Sequence, residues 1–340
     1  MKLVLILMAT AIMLPLAHAE DLSDMQRCML ELLNDAADDM TMGQMREQCR
    51  QKIEDQTKQV PLADNKTVPP EKEAVEERLE TDKSNVLKPF TLMAHKPNYI
   101  LLAAHNFNGY DATPYQEQYK DPDINTDDTE VQFQISIKTP LAVGFFKDTT
   151  DLYFAYTNRS FWQLYNKGIS SPFRETNHEP EAWVQVRPKW SLWGFKNPVN
   201  AFGFAHQSNG QGGVLSRSWN RLYANFDIAR GNLVVSLKPW YRIPEDSKDD
   251  DNPDITDYLG HGELRTAYKW GRNTFSMMLR NNLESGFSKG AVQFGWSFPL
   301  WEYKYLKGYV QYFSGYGESL IDYDHYVNRL GIGISLTDWL

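Results

Sequence analysis

The chain has 340 residues, with 44 Asp and Glu against 35 Lys and Arg and a formal net charge of -9. That balance, with no basic run anywhere, excludes a nucleic-acid partner gripped through phosphates. Aromatic residues make up 13% of the chain, including 10 Trp and 18 Tyr, yet mean hydropathy is only -0.53; strands with one apolar and one polar face produce that combination, because averaging along the chain hides the apolar face.

Lys2, the apolar run from Leu3 to Leu16 and Ala17-His18-Ala19 ahead of Glu20 predict a secretory signal peptide over 1–19, cleaved after Ala19. The run is too short for a typical spanning helix, and no later stretch offers 18 consecutive apolar residues, so no transmembrane helix is expected in the mature chain. An exported soluble protein or an outer-membrane barrel is left.

Residues 20–87 read as an N-terminal extension and linker, periplasmic in a barrel protein. Met29, Leu32, Leu33, Met40, Met42 and Met45 fall at helical spacing and predict one or two short helices. Cys28 and Cys49 are the only cysteines, and export to an oxidising compartment favours a disulfide over two free thiols. Pro61, Pro69 and Pro70 and the charged run from Glu71 to Arg78 then predict a solvated linker with some helix and no separate function.

From 88 to 340 the pattern becomes period-2 alternation. Val131, Phe133, Ile135 and Ile137 oppose Gln132, Gln134, Ser136 and Lys138; Leu233, Val235 and Leu237 oppose Val234, Ser236 and Lys238. Val292, Phe294, Trp296 and Phe298 oppose Ala291, Gln293, Gly295 and Ser297, and Leu330, Ile332, Ile334 and Leu336 alternate with Gly331, Gly333, Ser335 and Thr337. This predicts an all-β fold, a transmembrane antiparallel barrel with a polar interior. At roughly 20 residues per strand and connection it has about twelve strands. Trp190, Trp193, Trp240, Tyr241, Trp301, Tyr303 and Tyr305 suit aromatic girdles at the membrane interfaces. The alternative, a soluble sandwich, would bury them.

Within that pattern, Phe202, Phe204, His206 and Ser208 share one face, opposite Gly203, Ala205 and Gln207, and Asn220 shares a face with Leu222, Ala224, Phe226 and Ile228. His206, Ser208 and Asn220 are thus polar groups on apolar faces, where they are costly unless paired or functional. A serine needs a base to become a nucleophile, and histidine is the base suited to neutral pH. Asn220 can orient the imidazole, and Gly210, in the turn after Ser208, can offer its amide to an oxyanion without a Cβ in the way. If these faces meet lipid, the substrate is a lipid. An incidental His-x-Ser pair and a turn role for Asn220 are the plainer readings.

His206-Gln207-Ser208-Asn209-Gly210 with Ser216-Arg217-Ser218-Trp219-Asn220-Arg221 resembles the active-site signature of the outer-membrane phospholipase A family. The likeness extends through Ser170-Ser171-Pro172-Phe173-Arg174-Glu175-Thr176-Asn177, Lys238-Pro239-Trp240-Tyr241, Asp250-Asp251-Asn252-Pro253-Asp254-Ile255 and the stretch from Ser314 to Tyr323, and no part of it precedes residue 88. The resemblance implies a twelve-stranded outer-membrane barrel, active as a homodimer, that hydrolyses phospholipid acyl esters with calcium. Phospholipase A1, phospholipase A2 and lysophospholipase activities all follow from that. Ser208 would be the nucleophile, His206 the base, Asn220 the orienting group and Gly210 an oxyanion donor. The Ca2+ ligands would be the Ser216 side chain, the Gln211 carbonyl and the Ser170 carbonyl of the partner subunit.

Two positions depart from the pattern. Gly213 lies where relatives carry an Asp for a further calcium in the monomer, and Asn158 lies where a Gln bridges the dimer. The acidic run Asp249, Asp250, Asp251, Asn252 and Asp254 lacks the Gly and Glu positions of an EF-hand and reads as an exposed extracellular turn. A lipid A deacylase or acyltransferase would share the outward site, and a passive porin-like barrel would leave His206 and Ser208 without chemistry.

Overall fold

A computed structural model describes Cys28, residues 41–58, 74–86, 88 and 91–340, apart from 189, 287, 302 and 304. The expected signal peptide and its cleavage after Ala19 lie outside the described residues. The chain forms two compact units, Met1–Glu71 and Lys72–Leu340.

In the first unit, helix α1 (Met42–Lys58) begins just after Thr41. The Thr41 hydroxyl accepts from the Gln44 N–H at 3.4 Å, and the Gln44 side-chain oxygen accepts from the Thr41 N–H at 2.9 Å. This reciprocal pair satisfies amides that a helix start leaves without partners. A disulfide joins Cys28 to Cys49, with their Cα atoms 5.8 Å apart.

The second unit opens with α2 (Ala74–Val86). Twelve long strands follow: β1 (Asn98–Asn106), β2 (Thr129–Gly144), β3 (Thr150–Trp162), β4 (Phe173–Val186), β5 (Phe195–Ser208), β6 (Ser218–Arg230), β7 (Leu233–Ile243), β8 (Gly262–Trp270), β9 (Asn273–Asn281), β10 (Gly290–Pro299), β11 (Lys307–Gly315) and β12 (Val327–Thr337). Two-residue strands at Met93–Ala94 and Ser191–Leu192 pair with β2 and β5. The connections carry α3 (Thr113–Tyr119), α4 (Phe145–Asp148) and α5 (Ile255–Leu259). Each long strand pairs antiparallel with its chain neighbours, and β12 returns to β1 with Leu330 opposite His105. The ring is closed, as lipid requires, since an open edge would leave backbone amides unpaired in hydrocarbon.

Alternation separates the two faces as the sequence predicts. On β2, Gln132 and Ser136 are buried while Ile135 is exposed; Phe202, Phe204, Leu222, Phe226, Leu237, Phe294, Trp296, Leu330 and Ile332 form an exposed apolar wall outside. Inside, charges close on one another. Arg174 meets Glu130 at 3.0 Å and Asp322 at 2.6 Å; Glu181 meets His95 at 2.8 Å, Lys96 at 3.4 Å and Lys238 at 3.5 Å. Glu318 bonds both Arg159 and Arg329. Buried charges persist because each has a partner.

The expected girdle needs one correction. Trp190, Trp193, Tyr241, Trp301, Tyr303 and Tyr305 are exposed, but Trp240 is buried in an interior cluster with Trp219, Tyr223, Trp183 and Tyr153. It shares the inward parity of Lys238, and its indole N–H donates to the Gly260 carbonyl at 2.9 Å. Polar and aromatic side chains therefore fill the interior together. Gly203, facing inward on β5, makes room for them: a Cβ there would stand 2.7 Å from the Tyr223 ring.

The linker expected over Pro61 to Glu73 lies outside the described residues; the helix expected within it is α2, and its charges are paired to the barrel. Asp82 pairs with Lys138 on β2 at 2.5 Å, Glu76 with Lys196 on β5 at 2.7 Å and Glu77 with Lys269 on β8 at 2.6 Å, while Arg78 donates to the Ala94 carbonyl at 2.9 Å. Anchors spread round the ring place the helix across the barrel mouth away from Ser208. Val75, Arg78, Leu79 and Asp82 line an internal cavity of about 380 Å³ with the interior charges of the wall.

Candidate active site

The register of β3 to β6 builds the site. Asn158, His178, Ser208 and Ser218 stand directly opposite one another across these four strands, and His206 stands opposite Asn220. One level further from the strand ends, the corresponding row is Phe154, Ala182, Phe204, Leu222 and Tyr241. Residues directly opposite share a face. The polar groups thus sit on the outside of the barrel, at the edge of its apolar belt.

His206 Nδ1 lies 2.9 Å from Asn220 Oδ1. An amide oxygen only accepts, so Nδ1 carries the proton and Nε2 is left as the basic nitrogen. The opposite end of the Asn220 amide donates to Glu245 Oε1 at 3.0 Å. Ser208 follows His206 by two residues on the same face. Between them Gln207 points inward, where its side-chain oxygen accepts from Trp219 Nε1 at 2.9 Å and Arg221 at 3.3 Å. Trp219 is fully buried, and the Arg221 guanidinium lies 4.1 Å over its ring. This packed wall fixes the strand from behind and so holds His206 and Ser208 in register.

The loop after Ser208 is tied by Asn209. Its buried side chain donates to the Leu215 carbonyl at 2.7 Å and accepts from the N–H groups of Gln211 at 3.2 Å and Arg217 at 3.1 Å. Gly210 adopts φ +65° and is exposed; that left-handed conformation suits glycine, and the missing Cβ keeps the space beside Ser208 open. A Cβ at Gly210 would stand 3.9 Å from His178 Nε2. His178 in turn is held at Nδ1 by the Tyr156 hydroxyl at 2.6 Å. Gly213 has φ +63°, and a Cβ there would come 2.5 Å from Gln118 of α3. Gly213 is thus closed to a side chain unless Gln118 moves.

The expected metal ligands divide between two loops. Gln211 and Ser216 belong to the loop tied by Asn209, and the Ser216 hydroxyl donates to Asp251. Ser170 sits exposed on the loop between β3 and β4 with φ +59°. Among the described residues no three His, Cys, Asp or Glu side chains are grouped so as to hold a metal ion, so a cation here would rely on hydroxyl and carbonyl oxygens beside Asp251. Those are the hard ligands calcium takes.

The acidic run is only in part the exposed turn that its composition suggests: Asp249 and Asp251 are exposed, but the other members are buried or paired. Asn252 is fully buried and accepts from the Ser218 N–H at 3.0 Å; Asp250 pairs with Arg242 at 2.6 Å; Asp254 accepts from the Tyr323 hydroxyl at 2.5 Å. Burial, then the bond to Asp254, pushes the Tyr323 phenol above its ordinary range, so it remains a donor. Sequence reasoning missed Glu245 and His178 at the site, and took Asp251 only as part of an exposed turn. The two acids lie in a loop without periodicity, and His178 meets Ser208 only through strand register.

The phospholipase A1 of Proteus vulgaris is 40% identical over 250 residues, which is 74% of this chain and 83% of that one. The Salmonella typhi outer membrane phospholipase, solved as a dimer with bound calcium, is 36% identical with a TM-score of 0.69 over 75% of this chain and 96% of its own. An asparagine-to-alanine active-site mutant of Escherichia coli outer membrane phospholipase A is 35% identical with a TM-score of 0.68 over the same shares. The family model for phospholipase A1 matches residues 75–336. With that match across most of the barrel, this chain belongs to the phospholipase A1 family and is an outer-membrane phospholipase.

Proposed function

We propose that the chain hydrolyses phospholipid acyl esters with a Ser208–His206–Asn220 triad on its lipid-facing surface, depends on calcium, and acts as a homodimer. The observation that carries this reading is the 2.9 Å bond between His206 Nδ1 and Asn220 Oδ1, made on the outer face beside Ser208 and bordered by the apolar belt. A phospholipid in the same leaflet would present its ester bonds near that border, with its acyl chains along Phe204 and Leu222.

His206 Nε2 takes the proton as Ser208 Oγ attacks the acyl carbon. The lysophospholipid alkoxide leaves with that proton, giving an acyl-Ser208. Water then attacks the acyl carbon, again losing its proton to His206, and Ser208 recovers the proton as the fatty acid departs. The Gly210 amide faces the developing oxyanion. Calcium, when bound, would polarise the ester carbonyl and share that negative charge. The Ser216 hydroxyl and the Gln211 carbonyl would hold it, with Asp251 adding a charged oxygen next to Ser216. The Ser170 carbonyl would come from the second protomer. One convex barrel wall offers little concavity for a ligand, and a second barrel against β3 to β6 would supply the other side of a groove. The Salmonella typhi relative, a dimer with bound calcium, supports the metal and the assembly. The E. coli active-site mutant supports a catalytic asparagine.

Fatty-acid release from mixed phospholipid micelles tests the reading, using the wild-type chain and Ser208→Ala, each with calcium and with excess chelator. Release that needs both Ser208 and calcium is expected. Release that survives Ser208→Ala would sink the triad, and release lost only in Ser208→Ala would remove the metal. Deacylation of lipid A in preference to phospholipid would move the activity to a different substrate.

A further inference from the structure

The triad leaves a question of orientation and one of charge. An amide has an acceptor end and a donor end of nearly the same shape. Only with Oδ1 toward His206 Nδ1 does Nε2 remain free to take a proton; with Nδ2 toward the ring, the imidazole would carry its proton on Nε2 and could not act as base. Asn220 also brings no negative charge, although an imidazolium forms each time Ser208 gives up its proton. An aspartate in its place would expose a full charge at the edge of the lipid-facing belt, which is expensive.

Glu245 answers both. It lies two residues beyond β7, whose Ile243 stands opposite Asn220, and its Oε1 accepts from Asn220 Nδ2 at 3.0 Å. A carboxylate only accepts, so this contact admits one amide orientation, the one that turns Oδ1 to His206. The neighbouring charges are engaged elsewhere. Arg242 is held by Asp250 at 2.6 Å and the Pro253 carbonyl at 2.7 Å; Asp251 meets Ser216; Arg221 and Glu179 pair at 2.9 Å on the inner side of the wall.

From this arrangement we infer that Glu245 is a positioning residue that extends the triad to a tetrad, fixing the Asn220 amide and placing a negative charge behind it from a loop beyond the strand ends. The inference rests on the triad reading above. Charge that would be costly on the lipid face is supplied one residue removed, and the relay runs Ser208, His206, Asn220, Glu245.

The test compares kcat and KM for fatty-acid release by the full chain in calcium-containing micelles, with Glu245→Lys, Glu245→Ala, Glu245→Gln, Asn220→Ala and the Glu245→Lys/Asn220→Ala double variant. Lysine presents a donor to Nδ2 and favours the flipped amide, so kcat should fall about 100-fold with KM nearly unchanged. Glutamine can still accept through Oε1 and should retain kcat within about fivefold, separating orientation from charge. Glu245→Ala should fall between them. In the Asn220→Ala background, Glu245→Lys should have no further effect, because its route to His206 is gone. Wild-type kcat in both Glu245→Lys and Glu245→Ala would overturn the inference, as would an equal loss from Glu245→Lys with and without Asn220. Full activity in a parallel Ser208→Ala sample would overturn the triad, and the role of Glu245 with it.

Discussion

The two faces of the wall formed by β4, β5 and β6 carry similar chemistry to different ends. On the inner face Glu179 lies between Lys96 at 2.6 Å and Arg221 at 2.9 Å, and Glu181 is met by His95, Lys96 and Lys238. Charges there are closed into networks that draw in His95 and Lys96 from the segment before β1 and Lys238 from β7. On the outer face the same strands present His206, Asn220, Ser208 and His178 beside an apolar belt, with His206 oriented at one nitrogen and its other nitrogen available. Polar groups enclosed by protein close on one another, while the polar groups at the edge of lipid, the proposed catalytic set, are open to a substrate that would arrive from the membrane.

That contrast predicts different consequences for substitutions on the two sides. The largest effect is expected outside: Ser208→Ala should lower hydrolysis by at least about 10⁴-fold while the denaturant midpoint of the barrel stays at the wild-type value. Next comes the inner network. Arg174→Ala leaves Glu130 and Asp322 buried without their cation and should destabilise the barrel by about 3–5 kcal/mol in guanidinium unfolding, with kcat of the folded fraction little changed. Phe202→Arg, within the outer belt, should cost about 2–4 kcal/mol in the same measurement, again through folding into the bilayer and not through chemistry. Asn220→Ala should be the smallest of the four, with kcat lower by about 10- to 100-fold and stability unchanged, since it removes orientation but leaves nucleophile and base. A loss of stability in Ser208→Ala, or of kcat alone in Arg174→Ala, would break the division between the faces.

The barrel and the placement of His206, Ser208 and Asn220 were legible because period-2 alternation translates directly into faces. Phe204 and Leu222 flank the polar residues at the same parity, so their outward direction followed without knowing any contact. Trp240 was placed outside because its residue type suggested a girdle; its parity with Lys238 points inward, and parity proved the better guide. Helix α2 was read as part of a linker because its charges look solvated in sequence. Glu76, Glu77 and Asp82 in fact meet lysines on three separate strands, pairings that no local pattern encodes. Glu245 escaped notice, and Asp251 was read only as part of an exposed turn, for a related reason: both lie in the β7–β8 connection, where composition suggests exposure and only the folded loop brings one acid to Asn220 and the other to Ser216. His178 needed the β4–β5 register, which cannot be counted across the connection between those strands.

The central claim is that Ser208 is an activated nucleophile facing the lipid phase. Its most direct test is covalent labelling of the purified chain in calcium-containing micelles with a long-chain alkyl fluorophosphonate, followed by peptide mapping. The account predicts one label per chain, on Ser208, with labelling greatly slowed in His206→Ala. Labelling of a different serine, or no labelling of a sample that still releases fatty acid, would contradict it.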